Sequence, residues 1–509
     1  MSKSQFLTID FGTSGIKCMV FSQKGKVLAR QFRSIQYVDT EGLFGIGKEF
    51  DAPAAWHMIC EMIPRALKEA HSQPNDIVSI ATTSQRHGAV FLDKEGEVIY
   101  AGPNLDARGV FMQDSVIKGL EDSCPPTGCW PPLLYSLCRL LWFKRERPDQ
   151  FARICHALAI SDWLVYQLTG EVTTDSTQAS NTQLMDIRSS HWSSEILEMA
   201  GLSSELLPDI TDSGTSVGKV TPAASKSTGL STNSQVGIGG ADTQCALLGS
   251  GAIESGDIGV VAGNTGPVQL VTSEPIIDSN NCLWTGRFFF PDKWVLEANS
   301  GPNGSVLNWF IQNIIAPLNP ELSGPTDHAF TLVETLAAQA PVGSNDTIAL
   351  LGPQIMDARD MTTVRPSFFL FPPPTSPAVT PTSIKEVSRA LFENICYAAR
   401  TNIEQIQTMA NCQIEKCVVA GGLTRSDFWR QMLANVTGLS IRSGQVVEAS
   451  SLGAAICAAT AAEVYDSLTT AMHQMVKMRP NLEPQEDVHN QYKTYFTRWQ
   501  TLYNQSANL

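Results

Sequence analysis

The sequence predicts an α/β protein of two domains, and three observations carry that reading. At 509 residues the chain exceeds what one hydrophobic core usually supports. Strand-like runs rich in Val, Ile and Phe alternate with capped, helix-periodic stretches. Two strand–turn–strand segments of similar outline also lie far apart in the chain. One is "FLTIDFGTSGIKCMVF" from Phe6; the other runs through "VGIGGADTQ" into "VVAGNTGPVQLV". Their likeness suggests two related domains, divided as residues 1–245 and 246–509, although it is too weak to count as a sequence repeat.

Taken in order, the elements support this. The first segment followed by "KGKVLAR" reads as three antiparallel strands, not as a βαβ dinucleotide unit. "EFDAPAAWHMICEMIPRALKEA" reads as a helix with Asp51 as its N-cap and Pro53 in its first turn. "DIVSIATTSQRHGAVFLDKEGEVIY" returns to strand, loop and strand, with a turn at Lys94-Glu95-Gly96. A helical middle follows in "LYSLCRLLWFKRERP" and "SDWLVYQLTG". The Pro-rich stretch Arg365 to Ser383 has no period and reads as an irregular surface excursion or binding loop. After it, Ser383 and Glu386 fit a capping box, and Ile384, Val387, Leu391, Ile395 and Ala398 recur at helical spacing.

Composition narrows the function. Hydrophobic content of 43% with 17% charged residues is that of an ordinary globular protein. A formal net charge of −14 argues against general nucleic-acid binding but leaves room for a local cationic site facing an anion. No basic-then-apolar leader and no run of about 18 uncharged apolar residues is evident, so a cytoplasmic, membrane-free protein is expected. The twelve cysteines are scattered, which favours free thiols in a reducing compartment. Cys124 and Cys129 form a CPPTGC loop, a weaker disulfide or metal candidate with no second pair at zinc spacing.

Three stretches bear chemistry. In the first, Asp10, Gly12, Thr13, Ser14 and Lys17 allow either a plain hairpin turn or a phosphate-holding turn, in which small residues admit an anion to the backbone. In the second, a glycine-flanked aspartate (Asp242) precedes Gly263-Asn264-Thr265-Gly266. In the third, "CVVAGGLTRSDFWRQ", a strand enters Gly421-Gly422 and a helix beginning near Ser426. That pattern serves strand–turn–helix geometry or the approach of a flat ring or phosphate. No Gly-x-x-x-x-Gly-Lys-Ser/Thr occurs, which disfavours a P-loop kinase, and no Gly-x-Gly-x-x-Gly opens a helix after a strand.

Together, in order and spacing, these stretches resemble the FGGY carbohydrate kinases, of the actin/hexokinase/Hsp70 ATPase fold. The likeness continues through "YQLTGEVTTDSTQASNTQLMD" and "EASSLGAAICAATAAEVYD", and so covers essentially the whole chain. It implies two actin-like (ribonuclease H-like) domains with an interdomain active-site cleft: an N-terminal sugar-binding domain and a C-terminal adenosine-binding one. It also implies ATP as donor, with Asp242 in Gly-Gly-x-Asp as the base and Asp10 holding Mg²⁺ through water. Gly12, Thr13, Ser14, Lys17, Gly263, Asn264 and Thr265 would serve the phosphates; Gly421, Gly422 and Ser426, with Trp429 and Gln431, match the adenosine motif. Asn264 stands where the family commonly has Thr.

For the acceptor, the candidates are Arg86, His87, Asp106 and Asp242. Gln85-Arg86-His87-Gly88 keeps the His of the xylulokinase pattern and the Arg of the glycerol and autoinducer-2 kinase Arg-Glu pattern. Arg108 lies beside Asp106. "EFD", "NLDAR" and "RPSF" resemble the autoinducer-2 kinase branch, although His87 replaces its acid. The expected substrate is a ketopentose such as xylulose, with autoinducer-2 kinase-like activity as the alternative. A non-catalytic sugar and ATP sensor is the alternative of another class. A homodimer is common among such relatives.

Overall fold

The computed structural model describes residues 4–121, 127–130, 133–318, 326–360, 366–373 and 381–506. The chain divides into two compact units, neither of them one continuous segment. The first comprises Met1–Ile253, Thr272–Val295 and Glu448–Lys477; the second comprises Glu254–Val271, Leu296–Val447 and Met478–Leu509.

The first unit is built on β1 (Gln5–Phe11), β2 (Gly15–Ser22), β3 (Val27–Ser34), β4 (Ile77–Ser84), β5 (Ser216–Lys219) and β6 (Gln235–Ala241), in the order β5-β6-β4-β1-β2-β3. β1, β2 and β3 are antiparallel neighbours as expected, whereas β4 runs parallel to both β1 and β6. All seven residues of β1 are buried, the polar Gln5, Thr8 and Asp10 included. Helix Ala52–Glu69 begins where the sequence places it. Asp51 accepts from Ala54 N at 2.8 Å, and Pro53 occupies a first-turn position that needs no N–H donor. Its apolar face, including Ile59, Met62, Ile63 and Ala66, joins Leu7, Ile9, Ile80 and Val236 in one core.

The second unit repeats the strand order. β7 (Ile258–Val261), β8 (Thr265–Thr272), β9 (Trp294–Pro302), β10 (Lys416–Ala420) and β11 (Ser440–Ser443) lie as β9-β8-β7-β10-β11. β7 and β8 form a hairpin, and β10 runs parallel to β7 and β11. Thus β1–β2 and β7–β8 are corresponding hairpins, each followed in the sheet by a parallel strand. The capping box at Ser383 and Glu386 opens helix Ile384–Ala410. Within the Pro-rich stretch a short strand replaces part of the expected irregular excursion: Phe368–Leu370 pairs antiparallel with Ile348–Leu350, because apolar residues precede the prolines there. Arg365 and residues 374–380 of that stretch lie outside the described residues.

Candidate active site

In the first unit, Asp10 is buried near the end of β1, and its Oδ2 lies 2.9 Å from Lys17 Nζ. The same oxygen accepts a hydrogen bond from Ser451 Oγ at 3.1 Å. The carboxylate favours the charged ammonium and raises the Lys17 pKa against the opposing effect of burial. Gly12 N donates to Gly15 O at 3.0 Å, closing the turn, while Ser14 is left exposed. The opening stretch is therefore a true hairpin, with the pair of buried Asp10 and half-buried Lys17 just beneath the tip.

Thr13 is tied into a ring of four residues. Tyr37 OH donates to Thr13 O (2.8 Å) and receives Gln85 Nε2 (3.2 Å). Gln85 Oε1 accepts from Asn104 N (3.0 Å), and Asn104 Nδ2 returns to Thr13 Oγ1 (2.9 Å). The hydroxyl oxygen of Thr13 is the acceptor in the last contact, so its own hydrogen remains for a further acceptor.

Asp242 starts helix Asp242–Gly249, directly after β6. Burial pushes its carboxyl up to about 7. Arg86, the Thr243 N–H and Lys17 favour the ionised form, while the charge on Asp10 opposes it. Arg86 is itself buried, with its guanidinium 5.8 Å from the Trp284 ring centroid. His87 has a φ of 62°, in the left-handed region, and its ring packs edge-on against Tyr135 (4.9 Å) and Trp284 (5.7 Å). Burial, then Arg86 and Arg139, hold its imidazole well below the usual range, so the ring is neutral at physiological pH.

Asp106 departs from the expectation of a sugar contact. It has no exposed surface, and its carboxylate accepts from Tyr100 OH, Arg108 Nε (2.7 Å), Arg108 N (3.2 Å) and Lys48 N (3.3 Å). Arg108 is equally buried; it also donates to Glu49 (2.7 Å) and Thr40 (2.8 Å) and stacks on Tyr100 and Trp142. A buried charge needs such pairing, and the pair fixes its loop without presenting an oxygen to a ligand.

In the second unit, the β7–β8 turn leaves Asn264 and Thr265 exposed, with Asn264 O accepting from Asn303 N at 2.8 Å. Gly263 N is bonded back to Thr265 O at 3.0 Å, and Gly304 N donates to Gly263 O at 3.0 Å. Gly421 follows β10 with φ +90°, and a Cβ there would fall 2.6 Å from Ala262 O, so only glycine fits. A Cβ on Gly422 would meet nothing within 4 Å. The neighbouring turns of this unit thus present bare backbone. Ser426 does not share that exposure. It is buried, accepts from Trp429 N (2.8 Å) as N-cap of helix Asp427–Thr437, and donates to Glu334 Oε1 (2.6 Å). Its expected ATP contact gives way to a capping role.

Among the described residues, no three or more His, Cys, Asp or Glu side chains gather as a metal cage. A single buried carboxylate at Asp10 nevertheless fits Mg²⁺, which keeps most of its waters and takes one or two protein carboxylates. Of the CPPTGC pair, Cys129 is buried and its Sγ donates to Ser180 O at 3.4 Å, while Cys124 lies outside the described residues. No helix among the described residues is long and apolar enough to cross a membrane.

Several residues at the site escape a reading of motifs. Arg139, fully buried, donates to His87 O (2.6 Å), Pro103 O (2.8 Å) and Asp106 O (3.0 Å), joining the two loops. Its signal is a lone arginine inside the apolar run "SLCRLLWF". Tyr37 and Trp284 carry no motif; only the fold brings them to Thr13 and His87.

The model of the N-terminal domain of the FGGY family of carbohydrate kinases matches residues 5–249, and that of the C-terminal domain matches residues 259–462. The chain is similar to a protein named autoinducer-2 kinase from Klebsiella pneumoniae subsp. pneumoniae, at 29% identity over 99% of this chain and 95% of the other. Its counterpart from Escherichia coli (strain ATCC 8739) is 27% identical over 100% and 96%. Among solved structures, the ligand-bound xylulose kinase of Lactobacillus acidophilus superposes with a TM-score of 0.84, covering 99% of this chain and 98% of that one at 20% identity. The gluconate kinase of the same organism gives 0.83, with the same coverage and identity.

Proposed function

The chain belongs to the FGGY family of carbohydrate kinases, and on that premise we propose that it moves the γ-phosphoryl group of ATP onto a hydroxyl of a small ketose or polyol, with Asp242 taking the hydroxyl proton. It is a phosphotransferase acting on carbohydrate, with the two-domain actin-like α/β fold. The observation that carries the role of Asp242 is its setting. A carboxyl whose pKa is pushed to about 7, next to Arg86, is matched to accept a proton near neutral pH.

The remaining roles follow from phosphoryl transfer, which needs in-line positioning and neutralisation of charge. The acceptor lies against Arg86, His87 and the Trp284 ring, the aromatic face covering carbon while the polar groups take hydroxyls. Lys17 and the turn around Thr13 and Ser14 serve phosphate on the first unit; the turn at Asn264 and Thr265 does so on the second. The bare backbone at Gly421-Gly422 suits adenosine. Mg²⁺ would be held at Asp10 through water and, when bound, would offset charge on the phosphates.

The acceptor we assign is a ketopentose such as xylulose, because the neutral, buried His87 stands where an acid would otherwise bind. A second reading, autoinducer-2 kinase-like activity, is favoured by the likeness of almost the whole chain to proteins of that name. The test is ADP release from Mg-ATP across xylulose, ribulose, glycerol, arabitol, ribitol, gluconate and the autoinducer-2 precursor, each against a blank without sugar. Strong stimulation by xylulose supports the first reading, and stimulation by the autoinducer-2 precursor alone replaces it with the second. Blank-level ADP with every compound, from protein that binds ATP, would remove both and revive the sensor.

A further inference from the structure

The Gly240–Ala241 peptide, one residue ahead of Asp242, is gripped at both polar ends. Thr83 Oγ1 donates to Gly240 O at 2.7 Å, and Ala241 N donates to Thr177 Oγ1 at 2.8 Å. The register of β6 against β4 is irregular between Gly237 and Gly240, and pairing resumes at Gly240 and Ala241, the last two residues before the Asp242 helix. The grip demands glycines. A Cβ at Gly239 would lie 2.0 Å from Thr82 O, and one at Gly240 would lie 2.8 Å from Thr177 Oγ1 and from the Phe289 ring.

The Thr177 hydroxyl is in turn oriented from behind. Its hydrogen points to Asp175, with Oγ1 at 2.6 Å from Oδ2 and 3.0 Å from Oδ1. Asp175 also receives Thr177 N (3.0 Å), Gln178 N (3.1 Å) and Ser213 Oγ (3.3 Å). Asp175 and Thr177 are almost wholly buried, and Thr83 has no exposed surface. A carboxylate accepts only, so Thr177 must donate to it, which leaves the hydroxyl lone pairs for Ala241 N–H. Burial pushes the Asp175 carboxyl up to about 6, and the group still ionises at neutral pH.

We propose that Asp175 and Thr177 are positioning residues of the transfer reaction, a two-link chain that fixes the Gly240–Ala241 peptide and so the direction of the Asp242 carboxylate. The inference rests on Asp242 being the base. Both residues are buried behind that peptide, so the chain acts on the transition state and not on binding; a displacement of about 1 Å at a reacting group can cost about a hundredfold in rate.

The test uses the full chain with its best acceptor and Mg-ATP, measuring kcat and both KM values alongside thermal melts. Thr177→Val keeps the shape and removes the hydroxyl; kcat should fall about tenfold or more while both KM values stay within about twofold, and Thr177→Ser should restore most of the rate. Asp175→Asn, which can turn the Thr177 hydroxyl around by offering an N–H, should reproduce the kcat loss and serves if Thr177→Val does not fold. Wild-type kcat in the folded variant, or a loss that appears only in KM, overturns the proposal. Asp242→Asn separates the premise from the inference. If it retains turnover, the base is misassigned; if it abolishes turnover while Thr177→Val and Asp175→Asn remain fully active, the base stands and the positioning chain falls.

Discussion

Asp10 and Lys17 are direct partners across the first hairpin, seven residues apart in sequence and 2.9 Å apart at their charged ends. Lys17→Met leaves Asp10 buried with the Ser451 hydroxyl as its side-chain donor among the described residues. The variant should lose about 1–3 kcal/mol of stability in denaturant melts, since one partner of a largely buried pair is removed. Asp10→Asn combined with Lys17→Met should lose less than the sum of the single changes, and a double-mutant cycle measures the difference.

The pH profile should follow Asp242. The base must be ionised, so kcat/KM should rise with pH and level off above about 7. The linkage runs the opposite way. A carboxyl whose folded pKa lies above its unfolded value of 3.8 holds its proton better in the folded chain, and stability falls as pH rises from that value through about 7. Asp242→Asn should therefore lower turnover by about a hundredfold or more, yet melt at a higher temperature than wild type at pH 8. A melt no higher than wild type at pH 8 would contradict the burial account.

The Thr13–Tyr37–Gln85–Asn104 ring joins the turn we propose for phosphate to the loop we propose for the acceptor. Tyr37→Phe deletes the hydroxyl that serves two of its four contacts. The expected result is a fall in stability of about 1–2 kcal/mol, together with a rise in KM for both ATP and acceptor, measured by varying each at saturating levels of the other. A rise in only one would mean that the ring does not connect the two.

Two expected ligand contacts should behave as framework. Asp106→Asn leaves buried Arg108 without its carboxylate partner at Nε and should cost about 3–5 kcal/mol, with the order of preference across the sugar panel unchanged. His87→Glu, in contrast, should reorder that panel. Ser426→Ala should cost about 1 kcal/mol through the lost cap and leave KM for ATP within about twofold, since its hydroxyl is already committed to Trp429 N and Glu334.

How much of this can be read in advance depends on distance along the chain. Asp51 with Pro53, and Ser383 with Glu386, mark helix starts because a cap is satisfied within a few residues. The three opening strands are equally local. Asp106 could not be read as framework, because its carboxylate partners include the backbone of Lys48, far from it in sequence, and an acidic residue looks the same whether it faces a sugar or a guanidinium. Arg139 and Thr177 fail for the same reason: their value lies in the carbonyl and amide they reach, which only the topology brings near.

The return of residues 448–477 to the first unit has a consequence for how the protein is made. Ser451 reaches Asp10 across 441 positions, and Gly453 packs so tightly on Cys245 that a Cβ there would lie 2.0 Å from its carbonyl oxygen. A nascent chain that has emerged only through residue 249 lacks the helix that covers Asp242–Gly249. The unit whose synthesis begins first is thus complete only at Lys477, after nearly the whole message has been read, with the apolar surface of its earlier part exposed to chaperones meanwhile.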